Sequence, residues 1–316
     1  MSTPLFDTVA LVGIGLIGSS IARGIREQGL ARRILCVDAN PQHCAEALEL
    51  GIVDEATTEA NAALGDAGLV ILAVPLGAMR AAGEGLAPFL KAGTIVSDTG
   101  SSKQSVIDHL SPLLPEGVHL VPAHPVAGTE NSGPKAGFAS LFLNRWCIIT
   151  PAPGSEADAI DRLSAFWRAL GSKVEIMDAH RHDLVLAITS HVPHLIAYNI
   201  VGTADDLETV THNDVIRFSA GGFRDFTRIA ASDPVMWRDV FLNNRTAVLE
   251  MLGRFTEDLF ALQRAIRWSD GQALQDLFTR TRAIRREIID AGQETAAPDF
   301  GRPHEPAPPP DDDKDV

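Results

Sequence analysis

Residues 9–18 of the chain read Val9-Ala10-Leu11-Val12-Gly13-Ile14-Gly15-Leu16-Ile17-Gly18, and this stretch decides the fold. The apolar run over 8–12 predicts a buried strand, because strands covered on both faces read as continuous apolar runs. Three glycines follow at the spacing G-x-G-x-x-G, and helical periodicity over 17–28 predicts a helix that ends at Gly29. The stretch therefore predicts a strand, a tight glycine turn and a helix in direct succession.

The three glycines of this turn have different expected tasks. Gly13 permits the tight turn, Gly15 lets a pyrophosphate approach the backbone, and Gly18 lets the helix pack closely on the strand. Leu16 and Ile17 open the helix, whose N-terminus presents free N–H groups and a positive dipole end to phosphate. These five residues are the expected core of a dinucleotide site. The alternative is a glycine-rich turn in another kind of α/β protein.

A second strand, predicted over 33–37, supports the dinucleotide interpretation. It ends at Asp38, about twenty residues after Gly18, where a carboxylate accepts hydrogen bonds from the adenosine ribose. Because this carboxylate would repel the 2′-phosphate of NADP, we expect NAD as the cofactor. Val74 and Pro75, at the end of the apolar run over 69–74, complete the set of cofactor-binding candidates.

Composition and charge exclude several classes of partner. The chain has 316 residues, which suggests about two domains, and its 45% hydrophobic and 22% charged residues are ordinary for a globular protein. The net charge of -14 argues against nonspecific nucleic-acid binding, which needs a basic face. No apolar run approaches the roughly 18 residues of a membrane span, and the N-terminus lacks the features of an export signal. We therefore expect no nucleic-acid or membrane partner.

The three cysteines bear on the compartment of the protein. Cys36, Cys44 and Cys147 show no metal-ligand spacing. An odd and scattered count of cysteines is typical of proteins in a reducing compartment. We therefore expect a cytoplasmic protein.

Strands and helices alternate through the first part of the chain. Beyond those already described, strands are predicted over 94–97, 119–123, 146–150 and 173–177, and helices over 41–50, 78–90 and 155–170. This alternation predicts an α/β domain with a doubly wound, Rossmann-type sheet in residues 1–177. In such sheets ligands bind beyond the carboxyl ends of the strands.

From residue 178 onward, helical periodicity predicts an all-helical domain over 178–293. Ser232-Asp233-Pro234 opens a helix predicted to continue to about Arg267, roughly 50 Å long, and another helix is predicted over 271–291. Helices of this length are expected to bury apolar stripes against a partner subunit, which predicts a dimerisation domain; a self-contained bundle is the alternative. Residues 294–316 are rich in Pro and Asp and predict a disordered acidic tail.

Polar residues follow two of the predicted strands. His124 lies among small residues at the end of one strand, and a neutral imidazole there can accept a proton from a substrate hydroxyl. Ser101 follows the preceding strand and offers a hydroxyl to the same region. Each also has a structural interpretation: a histidine hydrogen-bonded in a loop, and a serine that caps a helix starting near Lys103. His124 and Ser101 are the candidate catalytic residues.

The helical region contributes further candidates. His191 and His194 lie three residues apart on an otherwise apolar helix. This spacing can suggest a metal, but no third ligand lies nearby in the sequence, so we expect them to face an organic ligand. Arg228 lies between apolar neighbours and needs an anion, which is either Asp225, in a structural pair, or an acidic substrate. Trp237 is expected in the core rather than in the site.

As a set, these segments resemble the prephenate/arogenate (cyclohexadienyl) dehydrogenase family. Beside the glycine motif, the matching segments are Asp98-x-Gly100-Ser101-x-Lys103, His124-Pro125-x-Ala127-Gly128-Thr129-Glu130, Ser190-His191-x-Pro193-His194, Gly222-Phe223-x-Asp225-Phe226-Thr227-Arg228-Ile229-Ala230 and Asp233-Pro234-x-Met236-Trp237. They occur in the right order over about residues 6–290. The resemblance implies an N-terminal dinucleotide domain that binds NAD, a C-terminal helical dimerisation domain, and a homodimer whose active site lies between the two domains.

The resemblance also implies roles for individual residues. His124 resembles the catalytic histidine that hydrogen-bonds the ring hydroxyl of the substrate, and Ser101 resembles the serine beside it. His194 and Arg228 resemble substrate-binding residues, with Arg228 on the ring carboxylate. The other substrate-binding candidates are Glu130 and Asp225, carboxylates near the pocket mouth that interact with Arg228, together with Thr129 and His191 in the same matching segments.

The implied reaction is the oxidative decarboxylation of prephenate or arogenate in tyrosine biosynthesis. Hydride leaves the carbinol carbon for NAD as His124 accepts the hydroxyl proton, carbon dioxide is lost, and the ring becomes aromatic. The product is 4-hydroxyphenylpyruvate or tyrosine, and tyrosine is a candidate feedback inhibitor. Two alternatives remain: another Rossmann dehydrogenase that oxidises a β-hydroxy acid through a lysine-centred site, and a dinucleotide-sensing protein that is not an enzyme.

Overall fold

The computed structural model describes residues 3–129, 131–211 and 221–290. Glu130 and the predicted acidic tail over 294–316 therefore lie outside the described residues. Within the described ranges, a parallel sheet flanked by helices is followed by a small second sheet and then by helices alone. This confirms the predicted fold class, a doubly wound Rossmann-type domain followed by a helical domain.

The first sheet contains six strands: β1 (Phe6–Val12), β2 (Ala31–Val37), β3 (Glu55–Thr57), β4 (Leu69–Leu72), β5 (Ile95–Asp98) and β6 (His119–Leu120). They are parallel and lie in the order β3-β2-β1-β4-β5-β6. The order reverses between β1 and β4, and doubly wound sheets bind ligands outside the carboxyl ends of the strands at such a reversal. The glycine turn follows β1 directly, so it lies at this edge.

Helices cover both faces of the sheet: α1 (Leu16–Gln28), α2 (Pro41–Glu49), α3 (Met79–Leu86), α4 (Gln104–Leu110) and α5 (Ala157–Ala169). On one face, Ile25 of α1 and Trp167 of α5 belong to one buried apolar cluster. On the other, Met79 of α3 and Leu110 of α4 belong to a second cluster. Helix α1 ends as predicted at Gly29, which has a left-handed φ of 64°.

The single strand predicted over 119–123 is wrong. The chain leaves the first sheet after β6 and enters a second sheet made of β7 (Ala123–Pro125), β8 (Trp146–Ile149) and β9 (Lys173–Ile176). The physical reason is Pro122, which has no N–H to donate to a neighbouring strand. β7 instead pairs antiparallel with β8, opposite in sense to the first sheet. His124 therefore lies in a strand of its own, displaced from the main sheet.

Two other predicted elements have different bounds. The helix predicted over 78–90 is a composite of a 3-10 turn (Leu76–Ala78), α3 and a second 3-10 turn (Ala87–Phe89). Gly83 and Gly85 weaken its helical interior and Pro88 removes a donor. The strand predicted over 69–74 ends at Leu72, so Val74 and Pro75 lie in the loop at the ligand-binding edge.

The helical domain begins with one long, interrupted helix. This interrupted helix consists of α6 (Ala179–Leu186), a π-helical turn (Ala187–His191) and α7 (Val192–Thr211). The later helices of the domain are α8 (Gly221–Thr227), α9 (Pro234–Asn243), α10 (Arg245–Arg267) and α11 (Gly271–Asp290). On length and composition alone, the stretch Ala179–Leu207 with mean hydropathy 1.5 is long and apolar enough to cross a membrane. A single such helix is weak evidence for a membrane segment, because core helices have the same composition. This one carries the buried polar residues His182, Asp183 and His191.

The single helix predicted from Pro234 to Arg267 is also wrong, because it breaks at Asn244. This residue has φ -108° and ψ 31°, outside helical values. Its side-chain Nδ2 donates to the backbone oxygen of Asp183 at 2.9 Å and to Nδ1 of His191 at 3.1 Å. The break thus comes from tertiary hydrogen bonds. The 23 residues of α10 span about 35 Å rather than about 50 Å.

Candidate active site

The glycine turn is shaped for a ligand at one of its three glycines. Gly13 has φ 93°, and a Cβ there would overlap the carbonyl oxygen of Ala73; a Cβ on Gly18 would overlap the carbonyl oxygen of Gly13. In contrast, no heavy atom of the described residues, apart from Gly15 itself and its two chain neighbours, lies within 4 Å of a Cβ built on Gly15. Gly13 and Gly18 are therefore required by the packing of the turn, and Gly15 leaves open space at the N-terminus of α1.

Asp38 closes the other side of this turn. Its Oδ2 accepts a hydrogen bond from the backbone N–H of Ile14 at 2.8 Å, and its Oδ1 accepts one from Asn40 at 2.9 Å. The side chain of Val74 lies 3.1 Å from the Cβ position of Gly13. Oδ2 keeps a second lone pair for a ribose hydroxyl, whereas Nδ1 of His43 also lies 3.4 Å from Oδ1. The turn, the start of α1 and Asp38 together fit a dinucleotide.

His124 is the first member of a chain of three hydrogen-bonded side chains. Its Nδ1 lies 2.9 Å from Nε2 of His182, and Nδ1 of His182 lies 2.8 Å from Oδ1 of Asp183. All three side chains are buried. β7 supplies His124 and α6 supplies the other two, so the chain crosses from the small sheet to the helical domain.

Asp183 receives additional donors from the end of the main sheet. The backbone N–H of Lys103 donates to Oδ1 at 2.8 Å, and that of Gln104 donates to Oδ2 at 3.0 Å. The Ser102 hydroxyl lies 3.4 Å from Oδ2. These two N–H groups belong to the N-terminus of α4, so a carboxylate from the helical domain caps a helix of the Rossmann-type domain.

A buried ion pair holds the strand that carries His124. Nζ of Lys103 pairs with Oδ2 of Asp98 and donates to the backbone oxygen of Ala123 at 2.8 Å, and both charged side chains are fully buried. Burial raises the pKa of the Asp98 carboxyl and lowers the pKa of the Lys103 ammonium, and their opposite charges act against both shifts. The ammonium is therefore directed at protein atoms rather than at a substrate.

The environment keeps His124 neutral. Burial lowers the pKa of its imidazole well below the usual value, and the positive charges of protonated His182 and Lys103 would lower it further. Burial also lowers the pKa of His182, although Asp183 opposes the shift. For Asp183, burial acts to raise the pKa, but the hydrogen bonds from His182 and from the start of α4 outweigh it and the pKa lies below its usual value.

A second group of rings, His191, His194 and Trp237, lies near these hydrogen-bonded side chains. Nδ1 of His191 accepts the Asn244 hydrogen bond, and within the described residues its buried Nε2 has no partner. His194 stacks on Trp237 at 3.6 Å between ring centroids and donates from Nδ1 to the backbone oxygen of Ser190 at 2.9 Å. Burial lowers the pKa of both histidines, that of His191 to about 4. Among described residues, no three metal-ligating side chains are grouped to hold an ion.

Comparisons with known proteins identify the family. Residues 21–176 match the prephenate dehydrogenase nucleotide-binding domain, and residues 178–280 match the prephenate dehydrogenase dimerization domain. The chain belongs to the prephenate dehydrogenase family. It is 41% identical to a cyclohexadienyl dehydrogenase of Zymomonas mobilis over 283 residues, which cover 89% of this chain and 96% of that protein. It is 32% identical to a prephenate dehydrogenase of Bacillus subtilis over 295 residues, or 93% and 79% of the two chains.

Solved structures of this family have the same fold. A prephenate dehydrogenase from A. aeolicus, in complex with hydroxyphenyl propionate and NAD+, has TM-score 0.83 and 32% identity, covering 91% of this chain and 99% of that chain. A Synechocystis arogenate dehydrogenase has TM-score 0.77 and 26% identity, covering 89% of this chain and 99% of that chain. The similarity therefore extends over both domains.

The structural role expected for Ser101 as a helix cap is wrong. α4 begins at Gln104, and Asp183 supplies the cap through the N–H groups of Lys103 and Gln104. The half-buried Ser101 lies in the loop after β5, at the edge of the sheet where doubly wound folds bind their ligands. Its predicted place beside His124 in the reaction stays a prediction.

Two of the substrate-binding candidates, His194 and Arg228, lie close together in the structure. The exposed Arg228 begins a 3-10 turn, and its positive charge contributes to the lowered pKa of His194, so these two candidates are neighbours. Asp225 lies one turn earlier, on α8, and is exposed. The half-buried Thr129 accepts a hydrogen bond from the backbone N–H of Asn131 at 3.2 Å. Glu130, expected to interact with Arg228, lies outside the described residues.

Sequence reasoning missed His182, Asp183 and Asn244. No motif includes them, because adjacent polar residues on a predicted helix usually indicate a solvent-exposed face. Lys103 and Asp98 were part of the matching segments but had no role. Trp237 was expected in the core, and it is buried there while also stacking on His194.

Proposed function

We propose that this protein uses NAD to carry out the oxidative decarboxylation of prephenate, arogenate or both in tyrosine biosynthesis. Its membership of the prephenate dehydrogenase family and its similarity to an NAD+-bound relative support this function. The observation that carries the proposal is His124, a buried, neutral imidazole whose Nδ1 is engaged by His182. Its Nε2 is thereby left as the one ring nitrogen able to receive a proton.

The residues of this chain would divide the reaction between them. Nε2 of His124 accepts the proton of the ring hydroxyl, which lets the carbinol carbon lose hydride. Gly15 and Asp38 would hold NAD, which would supply the hydride acceptor. Arg228 and His194 orient the ring through its carboxylate, and loss of that carboxylate as carbon dioxide makes the ring aromatic. Ser101 hydrogen-bonds the hydroxyl region beside His124. These roles are part of the proposal.

The helical domain supports a homodimer. Large apolar side chains of α10 and α11 are exposed in the single chain: Leu249, Leu259, Phe260, Ile266, Phe278, Ile284 and Ile288. Trp268, between the two helices, is 73% exposed. Exposed apolar surface of this extent is typical of subunit interfaces. We propose domain bounds of 1–177 and 178–293, with the second domain forming a two-fold dimer.

Two finer points of the proposal concern the environment of the enzyme. We place it in the cytoplasm, because its three cysteines are free and buried, as is typical of proteins kept in a reducing compartment. Tyrosine carries an aromatic ring and a carboxylate, as both expected products do. We propose it as a feedback inhibitor that competes for the substrate pocket.

The lysine-centred alternative is not retained. Its mechanism needs an ammonium that reaches the substrate, whereas Lys103, the lysine near this site, is buried against Asp98 and the backbone of Ala123. The test measures NADH formation through its near-ultraviolet absorbance. NAD is mixed in turn with prephenate, with arogenate and with a β-hydroxy acid. We expect turnover of a ring substrate and none of the β-hydroxy acid. Turnover of the β-hydroxy acid alone would refute the proposed function.

A further inference from the structure

We propose that His182 and Asp183 are positioning residues that fix the proton of His124 on Nδ1, so that Nε2 is the base. The proposal rests on the proposed function, because it assigns a purpose to the chain of side chains behind His124. Neither residue is placed to touch the substrate. His182 contacts Nδ1 of His124 rather than Nε2, and Asp183 contacts the far side of the His182 ring.

The direction of each hydrogen bond follows from Asp183. An ionised carboxylate can only accept, so Nδ1 of His182 must donate to it at 2.8 Å. Neutral His182 then has a lone pair on Nε2, and this nitrogen must accept from Nδ1 of His124 at 2.9 Å. His124 therefore has its proton on Nδ1 and its lone pair on Nε2, the tautomer that general-base catalysis at Nε2 requires.

The surroundings of Asp183 require a carboxylate rather than an amide. Lys103 N–H, Gln104 N–H and His182 Nδ1–H all donate to its two oxygens, with the Ser102 hydroxyl also within reach. In asparagine, one oxygen becomes an NH2 group. With that group on the Gln104 side, it faces the Gln104 N–H. With that group on the His182 side, it faces the Lys103 N–H instead, but it can donate to Nδ1 of His182 and so reverse both histidine tautomers. The second arrangement puts a proton on Nε2 of His124 and removes the base.

The same carboxylate connects the helical domain to the end of the main sheet. Asp183 belongs to α6, whereas Lys103 and Gln104 begin α4 of the Rossmann-type domain. His124 therefore has its basic nitrogen fixed only when α6 is docked on α4. The same side chain thus contributes both to the contact between the two domains and to the tautomer of the base.

Three variants test the positioning role. Asp183→Asn should lower kcat by about 100-fold or more, within the range typical for loss of a general base, while KM changes by less than about threefold. His182→Gln can offer an amide oxygen to Nδ1 of His124, whereas His182→Leu offers no acceptor. We therefore expect kcat of the glutamine variant to exceed that of the leucine variant by about tenfold or more.

Asp178→Ala is the matched control for stability. Asp178 caps α6 by accepting from the backbone N–H of Arg181 at 2.8 Å, five residues before Asp183 on the same helix, and it is exposed. Alanine keeps the backbone oxygen of Asp178, which accepts from the N–H of His182 at 3.0 Å. The substitution therefore weakens the same helix and leaves the side-chain hydrogen bonds of the two histidines in place. We expect its kcat to stay within about threefold of wild type. An equal loss of kcat in Asp178→Ala and Asp183→Asn would overturn the positioning role.

A spectroscopic readout separates this proposal from the proposed function. In the full-length dimer labelled with 15N-histidine, long-range 1H–15N spectra identify the protonated nitrogen of His124, and His124→Asn assigns its signals. We expect the proton on Nδ1 in wild type and on Nε2 in Asp183→Asn. A wild type that oxidises no ring substrate refutes the proposed function, and the spectra still decide the tautomer. A His124 proton that stays on Nδ1 in Asp183→Asn overturns the inference.

Discussion

Replacing Gly15 with alanine separates the cofactor site from the fold. Gly15 has φ -65° and ψ -158°, which an alanine adopts without left-handed strain. No heavy atom of the described residues lies within 4 Å of its Cβ position, whereas Cβ atoms on Gly13 or Gly18 would overlap backbone carbonyls. The added methyl group therefore occupies the space that we propose for the pyrophosphate of the cofactor.

The size of the effect follows from what the pyrophosphate would lose. Moving it away from the start of α1 costs a charge-assisted hydrogen bond, about 1.5–3 kcal/mol, and weakens an interaction with the helix dipole of typically about 0.3–1 kcal/mol. A total loss of about 2–4 kcal/mol raises the Kd for NAD about 30- to 800-fold. The free energy of unfolding should rise slightly, by about 0.4–1 kcal/mol, because alanine restricts the unfolded chain.

The assay combines two measurements on Gly15→Ala. Calorimetric titration gives the Kd for NAD, and thermal unfolding without cofactor gives Tm. Gly18→Ala is the matched control, since its methyl group is predicted to overlap the Gly13 carbonyl and lower Tm. A Gly15→Ala protein that binds NAD with the wild-type Kd, or that unfolds several degrees below wild type, would refute the reasoning.

Three further predictions concern cofactor choice, assembly and the substrate. Asp38→Ala removes the carboxylate that repels a 2′-phosphate, so the ratio of kcat/KM with NAD to that with NADP should fall; an unchanged ratio would contradict this role. Light scattering should give the mass of a dimer at micromolar concentration, because α10 and α11 expose their apolar side chains in the single chain; a monomer mass would contradict it. Arg228→Ala should mainly raise KM for the ring substrate, by about 2 kcal/mol or roughly 30-fold, the lower end of the range for a lost charge pair because Arg228 is exposed. Near-normal KM in the folded variant would contradict the clamp.

The parts of the fold predicted correctly are those decided by local sequence. Residues 9–18 predict β1, the glycine turn and α1, because Gly13 and Gly18 meet local steric requirements and the apolar run is continuous. Gly29 ends α1 for the same reason, since a left-handed residue is needed there. The hydrophobic pattern changes near residue 178 from strand-like runs to helical periodicity, and this change correctly predicts the start of the helical region, because α6 begins at Ala179.

The parts missed depend on contacts distant in sequence. The break at Asn244 arises from hydrogen bonds to Asp183 and His191, which are 61 and 53 residues away. Asp183 caps α4 across 80 residues, so the helix start near Lys103 gave no sign of it. His124 was found because it follows a strand, but the residues that set its tautomer carry no motif. Pro122, in contrast, was a local signal for the split strand that was not used.

Activity should depend on pH through His124. Only the neutral imidazole accepts the substrate proton, so kcat falls as the pH drops through its pKa. From the sequence alone, this fall, the acid limb of the pH–rate profile, is expected near pH 6.5, the pKa of an unperturbed histidine. Burial, with the neighbouring His182 and Lys103, lowers the pKa of His124, so the midpoint of the acid limb should lie well below about 6.5.

Acid unfolding must be separated from this titration. The pKa of buried His191 is lowered to about 4, so the unfolded chain binds a proton before the folded chain does, and the free energy of unfolding falls as the pH drops from about 6.5 toward 4. Enzyme held at each pH and then assayed at neutral pH reports irreversible loss, and intrinsic fluorescence at each pH reports unfolding. His124→Asn should lose about 10²–10⁴-fold in kcat and lose the acid limb, while NAD still binds. A folded His124→Asn protein that keeps the wild-type limb would assign the titration to another group, and a wild-type midpoint at or above about 6.5 would contradict the buried environment of the base.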